Sequence, residues 1–258
     1  MIEVKVTNKY AETLNLSTSK DVTLAEVTGL TPPAATINAT PIATKDGSIF
    51  NSAYLENRNI VLTIYPRRSV EASRINLYRY FKAKQKARLS IKTAQREVWI
   101  DGYIETIDGN LYENPQALQI SVICPDPYFK AKTEVKDNFA NGSASVNNTS
   151  DEETGAVFEI TATGTASAPV ITNTTTGEAF ELTTDLQSGD KITINTRRGE
   201  KAVTLTRSGI VTNILNDVTP GSKWLQLRTG ANALTLTATA GADALGASVT
   251  LQPIYEGI

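Results

Sequence analysis

The sequence predicts a mainly β protein. It reads as an N-terminal β-sandwich with one α-helix and extended hairpins, followed by a second antiparallel β-sandwich. Three observations carry this prediction. Apolar residues alternate with period two in short runs bounded by turn residues, the signature of half-buried strands. A single segment, near residues 69–86, has a helical period instead. Charge and aromatic content change partway along: residues 1–133 hold 17 Lys+Arg and 13 Asp+Glu (+4), residues 134–258 hold 8 and 14 (−6), and 12 of the 17 aromatics lie in the first part. Such a shift predicts two domains, 1–135 and 136–258.

In chain order, Ile2, Val4 and Val6 share the face of a first strand and Leu14 and Leu16 that of a second. The opening residues Met1 to Val6 lack a signal peptide's apolar core. Thr31-Pro32-Pro33-Ala34 interrupts any sheet, because two prolines withdraw ladder donors. Asp46-Gly47 marks a tight turn, and residues 54–65 read as one long strand ending at Pro66. Ser69 then caps a helix running to Lys86. Glu71 sits in its first turn, Lys82, Lys84 and Lys86 crowd its end, and Val70, Leu77 and Phe81 form its buried stripe. Leu89 and Ile91, then Val98, Ile100 and Ile104, then Leu118, Ile120, Val122 and Cys124 mark three further strands. Asp108-Gly109-Asn110 opens a loop that Asn114-Pro115 closes, and Cys124-Pro125-Asp126-Pro127-Tyr128-Phe129 forms a closing turn. Residues 139–155, rich in Asn, Ser and Gly, read as a linker or first loop. Beyond it comes a threonine-rich meander, with strands near 157–163, 180–183, 191–196, 202–207, 234–238 and 248–254.

Composition excludes several chemistries. The chain has no histidine, which removes Ser-His-Asp and Cys-His nucleophilic sites and His-based zinc sites. Its one cysteine, Cys124, allows no intrachain disulfide and reads as a small core residue. No apolar run reaches membrane-spanning length. Glu97, Asp101 and Glu105 share strand parity, but a wet strand face explains them better than an acid–base pair, and Asp126 between its prolines reads as a turn acceptor. The basic cluster Arg58, Arg67, Arg68, Arg74, Arg79, Lys82, Lys84, Lys86, Arg88 and Lys92 reads first as helix surface and second as a subunit seam. A net +4 with no recognised motif argues against nucleic acid. Trp224 reads as core in preference to a sugar platform. The expectation is of a non-enzyme, with no catalytic residue, cofactor or metal.

The order and wording of several segments resemble the distal tail (Dit) proteins of long-tailed, siphovirus-type bacteriophages. The helix Asn76-Leu77-Tyr78-Arg79-Tyr80-Phe81 and the turn Cys124 to Phe129 carry the likeness in the first domain. Residues 224–232 and Tyr255-Glu256-Gly257-Ile258 resemble the family's C-terminal, galectin-like domain. The resemblance implies a structural virion protein of the tail tip or baseplate, assembled in the host bacterial cytoplasm as a hexameric ring of N-terminal domains. It further implies a tail tube protein on one side, a tail-associated lysin or baseplate hub protein on the other, a receptor-binding protein as a further neighbour, and DNA only as passing cargo. Within that reading the subunit interface falls on the 40–57 hairpin (Asp46, Gly47, Tyr54), on Arg58, on Arg79 and Tyr80 of the helix, and on Asn110 and Tyr112 of the 108–115 loop. Two other classes compete: a lectin gripping host cell-wall saccharide, and a carboxylate-pair hydrolase.

Overall fold

The computed structural model describes residues 2–139 and 142–258. They form two compact units, one of residues up to Lys132 together with Tyr255–Ile258, the other Thr133–Ile254.

The strands of the first unit are β1 (Glu3–Asn8), β2 (Thr13–Asn15), β3 (Val22–Thr28), β4 (Ala35–Pro41), β5 (Ser48–Leu55), β6 (Arg58–Pro66), β7 (Lys86–Lys92), β8 (Glu97–Asp108), β9 (Leu118–Cys124) and β10 (Phe129–Ala131), with helix α1 (Val70–Tyr80) between β6 and β7. Nine strands make one antiparallel sheet, seven of them in the order β2-β1-β7-β8-β9-β6-β3, with β10 on β8 and a short closing strand that includes Tyr255 on β10. The long β8 serves two neighbours in succession: residues 97–103 pair with β7 and 103–108 with β9. Gly102 sits at this handover, where an added Cβ would lie 2.6 Å from Val122 and 2.8 Å from Cys124 Sγ. Alternating residues of every long strand, Val4 and Val6, Ile60 to Ile64, Leu89 and Ile91, Val98 to Ile104, Leu118 to Cys124, gather in one apolar core with Leu77 and Phe81. The Cys124–Phe129 segment bows out between β9 and β10, which both run along β8. Met1 lies outside the described residues, and Ile2, expected on the inner face of a first strand, is exposed ahead of β1.

Three expectations are corrected here. The stretch 54–65 is two strands, because the chain leaves the β4–β5 ribbon at Leu55 and enters the main sheet at Arg58. The helix stops at Tyr80, so Lys82 and Lys84 lie in a turn, where Lys84 has φ 66°, and Lys86 opens β7. Ser69 makes no capping bond; Ser73 Oγ instead donates to Arg67 O at 2.9 Å, and Val70 keeps 37% of its surface exposed while Leu77 and Phe81 are buried. The Asn114–Pro115 bond is cis, the only such bond among the described residues.

The second unit comprises β11 (Val135–Asn138), β12 (Ser143–Asn148), β13 (Thr154–Ala162), β14 (Ala166–Asn173), β15 (Glu178–Glu181), β16 (Asp185–Leu186), β17 (Lys191–Asn195), β18 (Ala202–Arg207), β19 (Ile210–Asn213), β20 (Gln226–Leu227), β21 (Gly230–Ala240) and β22 (Leu245–Leu251). One antiparallel sheet runs β11-β22-β13-β17-β18-β19 with β20 on β13; the other runs β12-β21-β14-β15 with β16 on β14. Phe158, Ile160, Ile192, Ile194 and Val249 of the first meet Val146, Ile171, Phe180 and Leu234 of the second in a single core, which is a β-sandwich. The expected linker at 139–155 is, where described, mostly part of this sandwich. Ser143–Asn148 is a strand whose Val146 enters the core, and the buried Asn148 and Ser150 are satisfied there, Asn148 Nδ2 donating to Leu227 O (2.9 Å) and Asn148 Oδ1 accepting from Ser150 N–H.

Candidate functional site

The β4–β5 ribbon is a two-stranded sheet of its own, hydrogen-bonded to no other strand among the described residues. Such a hairpin is marginal alone in water. Its register sets Ala35 opposite Leu55, Ile37 opposite Ala53 and Ala39 opposite Phe50, while Thr36, Asn38 and Thr40 face Tyr54, Ser52 and Ile49. Successive strand residues point to opposite faces, so Ala35, Ile37, Ala39, Phe50, Ala53 and Leu55 make one apolar face. The other face mixes polar pairs, Asn38 Nδ2 donating to Ser52 Oγ (3.0 Å) and Asn51 Nδ2 to Thr40 Oγ1 (2.7 Å), with the exposed Ile49 and Tyr54. A bulge between Asn38 and Ala39 keeps Phe50 on the apolar side. Ile37 is 67% exposed and Phe50 65% exposed. Asp46 and Gly47 lie at the tip, Gly47 with φ 100°, and Tyr54 is exposed near the base.

The loop after β8 is built to hold its shape. Asn110 Oδ1 accepts the Tyr112 N–H (3.0 Å), Asn110 Nδ2 donates to Glu113 (3.2 Å), and Gln116 Nε2 donates to Leu111 O (2.6 Å). Tyr112 projects from it with 99% of its surface exposed, beside the exposed Leu111. Arg79 is exposed but spent on Glu12, whose carboxyl that hydrogen bond holds below the usual range, and Tyr80 packs half-buried against the core.

Arg58 departs from the expected interface role. It is only 2% exposed, and its guanidinium, 4.4 Å from the Phe129 ring centroid, donates to Pro127 O (2.7 Å), Thr31 O (2.6 Å), Gly29 O and Glu256 O. Four of its five N–H donors are engaged inside its own unit. Burial pulls its pKa below the ordinary arginine value, against the pull of Cys124 and Glu256.

The rest of the basic cluster divides. Lys86 and Arg88 pair with Asp101, Lys92 and Lys132 with Glu97, and Arg88 also lies 3.7 Å from the Trp99 ring centroid. Arg67, Arg68, Lys82 and Lys84 are exposed around the ends of α1. These pairings also decide the carboxylates. Lys132 holds Glu97 below the usual carboxylate range; burial raises the Asp101 pKa, but Arg88 and Lys86 outweigh it and the net shift is downward. A glycosidase acid needs the opposite shift. Glu105 sits on the β8 bulge and accepts from Ser121 Oγ at 2.7 Å. Trp224 is half-buried, packed at the edge of the core with its ring 5.2 Å from that of Phe180, and Lys201 Nζ lies 5.4 Å from its ring centroid. No group of His, Cys, Asp and Glu able to hold a metal occurs among the described residues.

Sequence reasoning placed the ribbon tip but missed Ile37, Ile49 and Phe50. The alternation Ala35-Ile37-Ala39 was there to be read, while the bulge hid its partner strand.

Residues 149–252 match the family model described as siphovirus-type tail component, C-terminal domain. No curated protein matches the chain. Among solved structures, the Dit protein of phage SPP1, described as a paradigm of the hub adsorption apparatus in phages infecting Gram-positive bacteria, superposes with a TM-score of 0.75. It is 13% identical, over 97% of this chain and 98% of that one. Chains of the phage P2 baseplate in its activated conformation, with Ca and with Sr, align over 100% of both chains at 12% and 11% identity, with TM-scores of 0.55 and 0.53. At these identities the likeness is one of fold.

Proposed function

We propose a structural role at the phage tail tip, from the premise that this chain is a distal tail (Dit) family protein by its C-terminal domain and its fold. The protein acts as an adaptor without catalytic activity. Six copies close a ring through their first units, between the tail tube and the tail-associated lysin or baseplate hub, with a receptor-binding protein nearby and DNA passing through the lumen. The galectin-like sandwiches, residues 136–258 in this division of the chain, lie outside the ring, and assembly takes place in the host cytoplasm before incorporation into the virion.

The observation that carries this reading is the β4–β5 ribbon. A marginal hairpin with an apolar face in water calls for a cover, and rotational symmetry supplies an identical one at every junction. The apolar face favours packing flat on the next copy, joined by Asp46 and Gly47 at the tip and the Asn110–Tyr112 loop, with Tyr54 on the opposite face left for a further contact, over simple extension of that copy's sheet. Each junction then needs to bury on the order of 1,600 Å² to persist without disulfides. Negative-stain electron microscopy of the purified chain, alone and mixed with the tail tube protein, tests it: six-fold rings support the adaptor, and isolated particles under both conditions refute it.

A further inference from the structure

We infer that residues 255–258 are a strap that sets the stance of the β4–β5 ribbon. The chain leaves the first unit after Lys132 and rejoins it at Tyr255. Once back, it is gripped through its backbone. Arg58 donates to Glu256 O, Arg96 donates to Gly257 O, and the Ile258 N–H donates to Leu30 O at 3.1 Å. Arg96 also lies 4.0 Å from the Tyr255 ring centroid, and Tyr255 and Ile258 pack against the core.

What the strap touches is the root of the ribbon. Leu30 and Pro32 belong to the stretch between β3 and β4, and Arg58 follows β5 at the other root. The same guanidinium that holds Glu256 O also holds Gly29 O and Thr31 O, so the strap and both roots share one clamp. Gly257 fits against Pro32 with no room to spare, since a Cβ there would lie 2.9 Å from Pro32 Cδ and 3.4 Å from Leu30 O. Elsewhere, among the described residues, the ribbon's backbone is hydrogen-bonded only to itself, so its roots fix its direction. Arg58 and Gly257 are therefore positioning residues. The inference rests on the assembly reading only for its consequence, because the stance of the ribbon belongs to a single copy.

The strap is recognised through the carbonyl of Glu256 and the missing side chain of Gly257. Hydrogen exchange of the full chain, diluted until monomeric, is followed by mass spectrometry for wild type and Gly257→Val. Gly257→Val should speed exchange about tenfold or more in residues 29–57, as expected for a locally released element, and leave β1, β7 and β8 unchanged. Unchanged exchange at 29–57 in Gly257→Val, or equal acceleration across the first unit, overturns the strap. If Gly257→Val does not fold, deletion of residues 255–258 is held to the same criterion, and failure of both to fold makes the segment a folding element and also overturns it. Loosening confined to 29–57 in a protein that never oligomerises would sink the ring and leave the strap standing.

Discussion

Ala39 and Phe50 stand opposite one another across the β4–β5 ribbon, on the face where Ile37 and Ala53 also pair. An aromatic ring, left mostly in water beside two alanines, contributes little to the stability of a single copy. It gains only when something covers it.

Replacing it should therefore separate assembly from folding. Phe50→Ser with Ile37→Ser is expected to abolish oligomers and to shift monomer stability by no more than about 0.5 kcal/mol per site, as surface changes do. Chemical denaturation beside sedimentation velocity checks both halves, and a large loss of stability with oligomers intact would contradict the assignment.

The second unit carries a pH-dependent support. Asp190 is 3% exposed, and Arg207, then the Gln187 N–H, hold its carboxyl below the ordinary range against the cost of burial. A depressed folded-state pKa gives stability that is fully present above the unfolded value, roughly 4, and is lost as pH falls through the folded value. Asp190→Asn should lower stability by about 1–3 kcal/mol at pH 7 and flatten the decline below pH 4. Urea titrations at pH 7, 4 and 3 read this, and parallel curves for the two proteins would contradict it.

Cys124 is buried at the end of β9, and burial pushes its thiol up to about 12, against the opposing pull of Arg58. Since only the thiolate reacts, labelling with a thiol reagent at pH 8 should run at the rate of global opening and accelerate in urea. Immediate stoichiometric labelling of the native protein would show the site to be open.

Gly155 lies where β13 passes from β20 to β22, and a Cβ there would come within 2.3 Å of Thr196 O. The obstacle is backbone, so relief requires moving a strand. Gly155→Ala should destabilise the second unit by about 1–3 kcal/mol or more. The Gly199→Ala change meets no atom within 4 Å but carries the backbone strain of φ 77°, so it serves as the comparison for strain without collision. A melting curve in which Gly155→Ala costs no more than Gly199→Ala would contradict this.

Much of this was legible in the residues. Period-two alternation identified β1, β7, β8 and β9 because each buries one face, and Phe158 to Ile160 or Lys191 to Asn195 did the same in the second sandwich. The helix end was not legible: Tyr80-Phe81-Lys82 continues a helical composition, but Phe81 must enter the core and Lys84 turns left-handed to bring Lys86 into register with Tyr103. Nor was the fate of Arg58. Its neighbours in the sequence are polar and strand-like, and only the convergence of four backbone carbonyls from distant segments explains a buried guanidinium. The apparent linker misled because Asn and Ser also serve as buried acceptors and donors, as Asn148 and Ser150 do.

The most direct measurement is the solution mass of the whole chain by light scattering, from low to high micromolar, for wild type and for the Phe50→Ser, Ile37→Ser protein. Wild type should rise from 27.8 kDa toward six times that mass while the double variant stays at one copy. A single-copy mass for wild type at every concentration, or six copies in both proteins, would contradict a ring joined by this ribbon.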